Sequence, residues 1–133
     1  MKTTHFYNST RHPIVTLRDM KQEDEKCASF RIEAYGSEYE AFVEGCTEIN
    51  TFRILHDELE KLYNGKQTEI HVKTTDGSLE ITGSMDMAGI IFWTFVLTEV
   101  GTKNRIEVKD CSDRTFLPEI MKSLTEWIEE DGV

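Results

Sequence analysis

No stretch of this chain is apolar enough to cross a bilayer as a helix. The longest candidate, from Ala88 to Leu97, is interrupted by Gly89 and Thr94 and gives way to Thr98 and Glu99, well short of the roughly 18 residues a spanning helix needs. Cysteine is scarce and odd in number: Cys27, Cys46 and Cys111 include no C-x-x-C pair, which argues against both a disulfide framework and a zinc site. The opening MKTTHFYNSTRHP lacks the apolar stretch and small-residue cleavage site of a secretory signal. The expectation is therefore a cytoplasmic protein, in which Asn8-Ser9-Thr10 matches a glycosylation acceptor by chance. The eight glycines stand isolated at turns rather than in a phosphate-cradling loop. No G-x-S-x-G occurs, and none of His5, His12, His56 and His71 has a partner at H-x-x-x-H or H-E-x-x-H spacing. These absences predict a protein that is not an enzyme and carries neither metal nor cofactor.

What is present is an ordinary globular composition with a strong acidic bias. A length of 133 residues, 38% hydrophobic and 30% charged, suits one domain over residues 1–133, able to bury about 65–70% of its unfolded surface. Residues 1–12 are expected to form a mobile N-terminal segment. The net charge is −10, and between Glu33 and Glu60 eight acids face a single base, Arg53, for a local −7. Such a field repels nucleic-acid phosphates and anionic lipid and attracts basic proteins. The partner class it selects is a basic protein, not nucleic acid and not a membrane.

Period-two alternation marks Ile14–Met20, Cys27–Tyr35 and Ser37–Cys46 as half-buried strands, with turns at Gln22–Lys26 and at Gly36, the pattern of an antiparallel meander. From Thr47 or Asn50 to Tyr63 the period lengthens. Phe52, Leu55, Leu59 and Leu62 fall on one helical stripe, which Asn64-Gly65 terminates. Strands follow at Thr68–Thr74 and Ser78–Gly83, joined through Asp76-Gly77, a dipeptide suited to a type I′ turn with positive φ at both central positions. Gly89–Val100 is apolar on both faces, as a central strand covered on two sides would be. Lys103–Lys109 closes the sheet. A final helix from about Thr115 to Glu130 presents Leu117, Ile120, Met121, Leu124, Trp127 and Ile128, is capped by Asp113 or Thr115, and accommodates Pro118 in its first turn. No internal repeat is visible. The fold class is α+β, a mainly antiparallel sheet of about six to seven strands with two amphipathic helices packed on one face.

Within the acidic segment, alternation places Tyr39, Ala41 and Val43 inward and projects Glu38, Glu40, Phe42 and Glu44 from the opposite face. An apolar ring among acids is the composition of a binding patch, the aromatic serving as anchor and the charges steering the partner. Cover of Phe42 by another part of the same chain is the competing reading.

The run Asp113-Arg114-Thr115-Phe116-Leu117-Pro118-Glu119-Ile120, which opens the final helix, resembles the closing segment of WapI-type immunity proteins. The preceding amphipathic helix, the Asp76-Gly77 hairpin and the strand after Met87-Ala88-Gly89 fit the same group, so the resemblance covers roughly Ser29 to Glu130 and leaves out the N-terminal twenty-odd residues. It implies an inhibitor of a cognate toxin domain from a bacterial polymorphic or contact-dependent growth inhibition system, acting by occlusion. It transfers no binding residues, because each such protein matches its own toxin. Toxin domains of these systems are frequently basic nucleases, which suits an acidic inhibitor. Two alternatives stand beside it: an acidic adaptor that self-associates through Ile90–Leu97, and a small-ligand binder or enzyme with an unrecognised pocket.

Overall fold

A computed structural model describes residues 2–36 and 40–130. Eight strands form two antiparallel four-stranded sheets with two helices. The first sheet joins β1 (Lys2–Tyr7), β2 (Pro13–Gln22), β3 (Cys27–Tyr35) and β4 (Glu40–Glu48) in chain order, and α1 (Asn50–Tyr63) follows it. The second joins β5 (Glu69–Lys73), β6 (Leu79–Met85), β7 (Ile90–Thr98) and β8 (Arg105–Asp113), and α2 (Leu117–Glu130) follows that. The class expected from the sequence is the class observed, with more strands than expected and divided between two sheets.

The chain thus runs twice through four strands and a helix, a repetition the sequence does not display. The two halves exchange cover. α1 packs along β5, an edge of the second sheet, while α2 packs along β1, an edge of the first, and the helices also pack on each other. The β5–β6 turn reaches the opposite edge of the first sheet, where Asp76 Oδ2 accepts the Cys46 N–H at 2.7 Å and Thr75 Oγ1 the Glu48 N–H at 3.0 Å. Reciprocally, the β1–β2 turn reaches β8, where the Ser9 N–H donates to the Cys111 carbonyl at 3.0 Å.

Inward residues of both sheets and both helical stripes build one continuous core. Phe30 of β3 meets Phe52 of α1 edge-on with centroids 5.4 Å apart, and Phe6 of β1 packs on Trp93 and Phe95 of β7 at 5.4 and 5.2 Å. The second contact corrects one expectation: Lys2–Tyr7, read as part of a mobile segment, is a paired strand. Its ordering comes from burying Phe6 completely and from the buried Thr4 hydroxyl, 2.9 Å from that of Ser123 on α2. Only one large apolar side chain points inward from this strand, so alternation alone carries little signal there.

Two further expectations change. The β5–β6 hairpin is present with Val72 opposite Ile81, but its turn is not type I′. Among Asp76 and Gly77 only Gly77 has positive φ, +79°, and its N–H closes a turn onto the Thr74 carbonyl at 3.1 Å. Asp76 acts through its side chain instead, accepting the Ser78 N–H at 2.9 Å and the Thr74 hydroxyl at 2.9 Å. The β7 strand lies inside its sheet but is covered on one side only. Ile91, Trp93, Phe95 and Leu97 are buried, whereas Phe92 on the other face is 54% exposed. The helices cover edge strands and the inner faces of the sheets, and among the described residues no element covers the outer face of the second.

Candidate functional site

Three of the candidate residues, Glu40, Phe42 and Glu44, lie on β4, an edge strand. Glu40 and Glu44 are exposed, Phe42 is 53% exposed, and Ala41 and Val43 turn inward. Glu38 and Tyr39 lie outside the described residues. In register, β3 sets Arg31 opposite Glu44, Glu33 opposite Phe42 and Tyr35 opposite Glu40. These pairs share the outer face, since Phe30, Ile32 and Ala34 alternate with them into the core.

Around Glu33 a polar network is built from three neighbours that the sequence reading did not single out. Its Oε1 accepts from Arg18 Nε at 2.8 Å and from the Tyr35 hydroxyl at 2.6 Å, and its Oε2 accepts from Arg31 Nε at 3.0 Å. Burial pushes the Glu33 carboxyl up, but the Tyr35 and Arg18 hydrogen bonds and the two guanidinium charges more than offset it and hold the group below the ordinary glutamate range. Arg31 in turn sits over the Phe42 ring, its guanidinium carbon 3.6 Å from the centroid, a cation–π contact worth about 0.5–1 kcal/mol at an exposed site. Phe42 is therefore covered in part by its own chain, by one arginine on one side, and remains half open. The signal for this network was available: Arg31, Glu33 and Tyr35 occupy alternate positions on a strand whose other face is apolar.

Arg31, Glu33, Tyr35, Glu40, Ala41 and Phe42 line a cleft of about 280 Å³ on this face. Glu33 is satisfied by its arginines. Among the described residues no cation stands within ion-pair distance of Glu40, Glu44 or Glu48, so these carboxylates set the sign of the surface. The acids of α1 do not join them. Because Phe52 packs on Phe30 beneath the sheet, exposed Asp57 and Glu60 lie on the far side from Phe42, and the acidic run of the sequence is divided between two surfaces.

Among the described residues no group of three or more His, Cys, Asp or Glu is gathered closely enough to hold a metal ion, and the three thiols are free. His71 pairs with Glu80 on the outer face of the second sheet, and His5 Nδ1 lies 2.8 Å from Thr16 Oγ1. Among the described residues no helix is long and apolar enough to cross a membrane.

Residues 9–131 match the model of the Immunity protein WapI-like family. The chain belongs to that family. The match begins twenty residues before the part of the sequence that carries the resemblance, taking in the whole of β2, which pairs with β3 beneath the candidate site. Membership in a WapI-like immunity family makes neutralisation of a toxin the protein's role. Comparison with curated protein sequences finds no match. Among solved structures, a chain of the Trypanosoma bruciei MRP1/MRP2 crystal structures is similar at 11% identity with a TM-score of 0.49, over 98% of this chain and 84% of that one.

Proposed function

We propose that the protein is a cytoplasmic inhibitor that binds one basic, nuclease-type toxin domain of a polymorphic or contact-dependent inhibition system and masks its active site, without chemistry of its own. The observation that carries the placement is the half-exposed ring of Phe42, held by Arg31 between Glu40 and Glu44 on the outer face of the first sheet. An aromatic anchor ringed by uncompensated carboxylates supplies the buried centre and the steering field that a basic partner meets. Glu38 belongs to the proposed contact with Glu40, Phe42 and Glu44.

The test is a kinetic one with the cognate toxin domain. Neutralising Glu38, Glu40 and Glu44 together is expected to slow association and flatten its salt dependence, while Phe42→Ala speeds dissociation. A triple variant that binds and protects like the parent removes this face from the interface. Self-association has one observation in its favour, the exposed Phe92 on the bare face of β7. Sedimentation at rising concentration separates the two readings.

A further inference from the structure

The β4 strand leaves part of its backbone unpaired. Ile49 donates its N–H to Lys26 beside β3, whereas the N–H groups of Cys46 and Glu48 point the other way, to Asp76 and Thr75. In an antiparallel ladder this direction alternates residue by residue. The odd positions Ala41, Val43 and Gly45 therefore bond β3, and the even positions Glu40, Phe42 and Glu44 direct N–H and C=O to the open edge. The β5–β6 turn covers that edge at Cys46 and Glu48 and stops there. Among the described residues no hydrogen bond from another element reaches the main chain of Phe42 or Glu44.

We propose that this open half-edge is completed by an extended segment of the toxin domain, which adds to the first sheet as a fifth strand beside β4. The proposal rests on the immunity reading above and states how that site is engaged. Main-chain bonds to Glu40, Phe42 and Glu44 supply the pairing, and Asp76 at the end of the free stretch limits how far the incoming strand extends. The same residues whose amides face the edge raise their side chains on the outer face. An added strand thus lays its own outward residues beside Glu40, Phe42 and Glu44, and lysine or arginine there meets two carboxylates that have no ion-pair partner among the described residues.

Charge selects the occupant. A second copy of this protein pairing edge to edge would set Glu40 and Glu44 against their own counterparts, and like charges on an edge strand are a recognised barrier to such pairing. The other partly open edge, at Glu107 and Lys109 of β8 beside a cleft of about 700 Å³, carries both signs and selects no partner in this way.

Amide exchange read residue by residue tests the proposal in the intact protein. In the free protein the amides of Val43 and Gly45 are expected to be slow and those of Phe42 and Glu44 fast. In the complex with the cognate toxin domain, Phe42 and Glu44 become slow as well. A second arm compares Glu44→Pro with Glu44→Ala. Both lose the carboxylate, but only proline loses the outward N–H, at a position where the β3 ladder does not use it. Proline should weaken binding about tenfold beyond alanine. A saturated complex in which Phe42 and Glu44 still exchange freely overturns edge pairing and leaves the immunity reading intact. Failure of the toxin to bind at all overturns both, and protection of these two amides that grows with concentration of the free protein assigns the edge to a second copy instead.

Discussion

Phe52 of α1 and Trp127 of α2 meet edge to face with ring centroids 4.6 Å apart, so the two halves of the chain are joined at their helices by an aromatic pair. Trp127 is fully buried and its indole N–H donates to the Met20 carbonyl of β2 at 3.2 Å. Trp127→Ala should cost about 3–5 kcal/mol through the cavity it leaves. Trp127→Phe keeps most of the packing but removes the donor to Met20, and should fall between that variant and the parent in denaturant melts.

The two faces of β7 predict opposite outcomes for neighbouring aromatics. Phe95 is buried against Phe6, and Phe92 is half exposed on the outer face. Phe95→Ala should lose about 3–5 kcal/mol, whereas Phe92→Ala should stay within about 0.5 kcal/mol of the parent. Equal losses in the two variants would mean that the outer face is covered.

Gly83 is required by a close approach. A Cβ there would stand 2.9 Å from Trp93 Cζ3 and 3.3 Å from Ile70 Cγ1. The Trp93 ring has little room to retreat, because it stacks on Phe95 and meets Phe6. Gly83→Ala should cost about 1–3 kcal/mol by overpacking. Thr82→Ala, one residue away and facing solvent, should be close to neutral in the same thermal melts.

Glu33 gives the protein an acid limb of stability. Its carboxyl is held below the ordinary glutamate range, so the folded state binds its proton less readily than the unfolded chain does. That contribution is fully present above the unfolded value of about 4.3 and is lost as pH falls through the depressed folded value. Melting temperatures from pH 7 down to 3 should decline less steeply for Glu33→Gln than for the parent, with the two curves converging at the acid end. Parallel curves would exclude Glu33 as a source of the acid sensitivity.

Legibility in the sequence follows the inward residues. Both helices were readable because Phe52, Leu55, Leu59 and Leu62, and Ile120, Leu124 and Trp127, recur at helical spacing and are all buried. β1 was not, because Thr4 and Phe6 are its only described buried side chains and the first is polar. The division into two sheets was equally hidden. It depends on which edges α1 and α2 cover, and edge pairing leaves no periodicity in the chain. At the site, alternation placed Glu40, Phe42 and Glu44 on one face. The arginines came from β2 and β3, on other strands of the sheet, and only cross-strand register brings Arg31 over Phe42. Counting charge along the chain overstated the patch, since α1 carries its share to the other side of the sheet.

On β3, Phe30, Ile32 and Ala34 are buried while Arg31, Glu33 and Tyr35 stand on the opposite side. Two sets of residues therefore share one strand with almost no packing between them. Substitutions in the outward set change size and charge without opening a cavity in the core, so they are cheap in stability terms. That separation leaves the outward face free to vary independently of the core. Such a sheet can change its outward chemistry many times over while its inward pattern, and hence its fold, goes on unaltered.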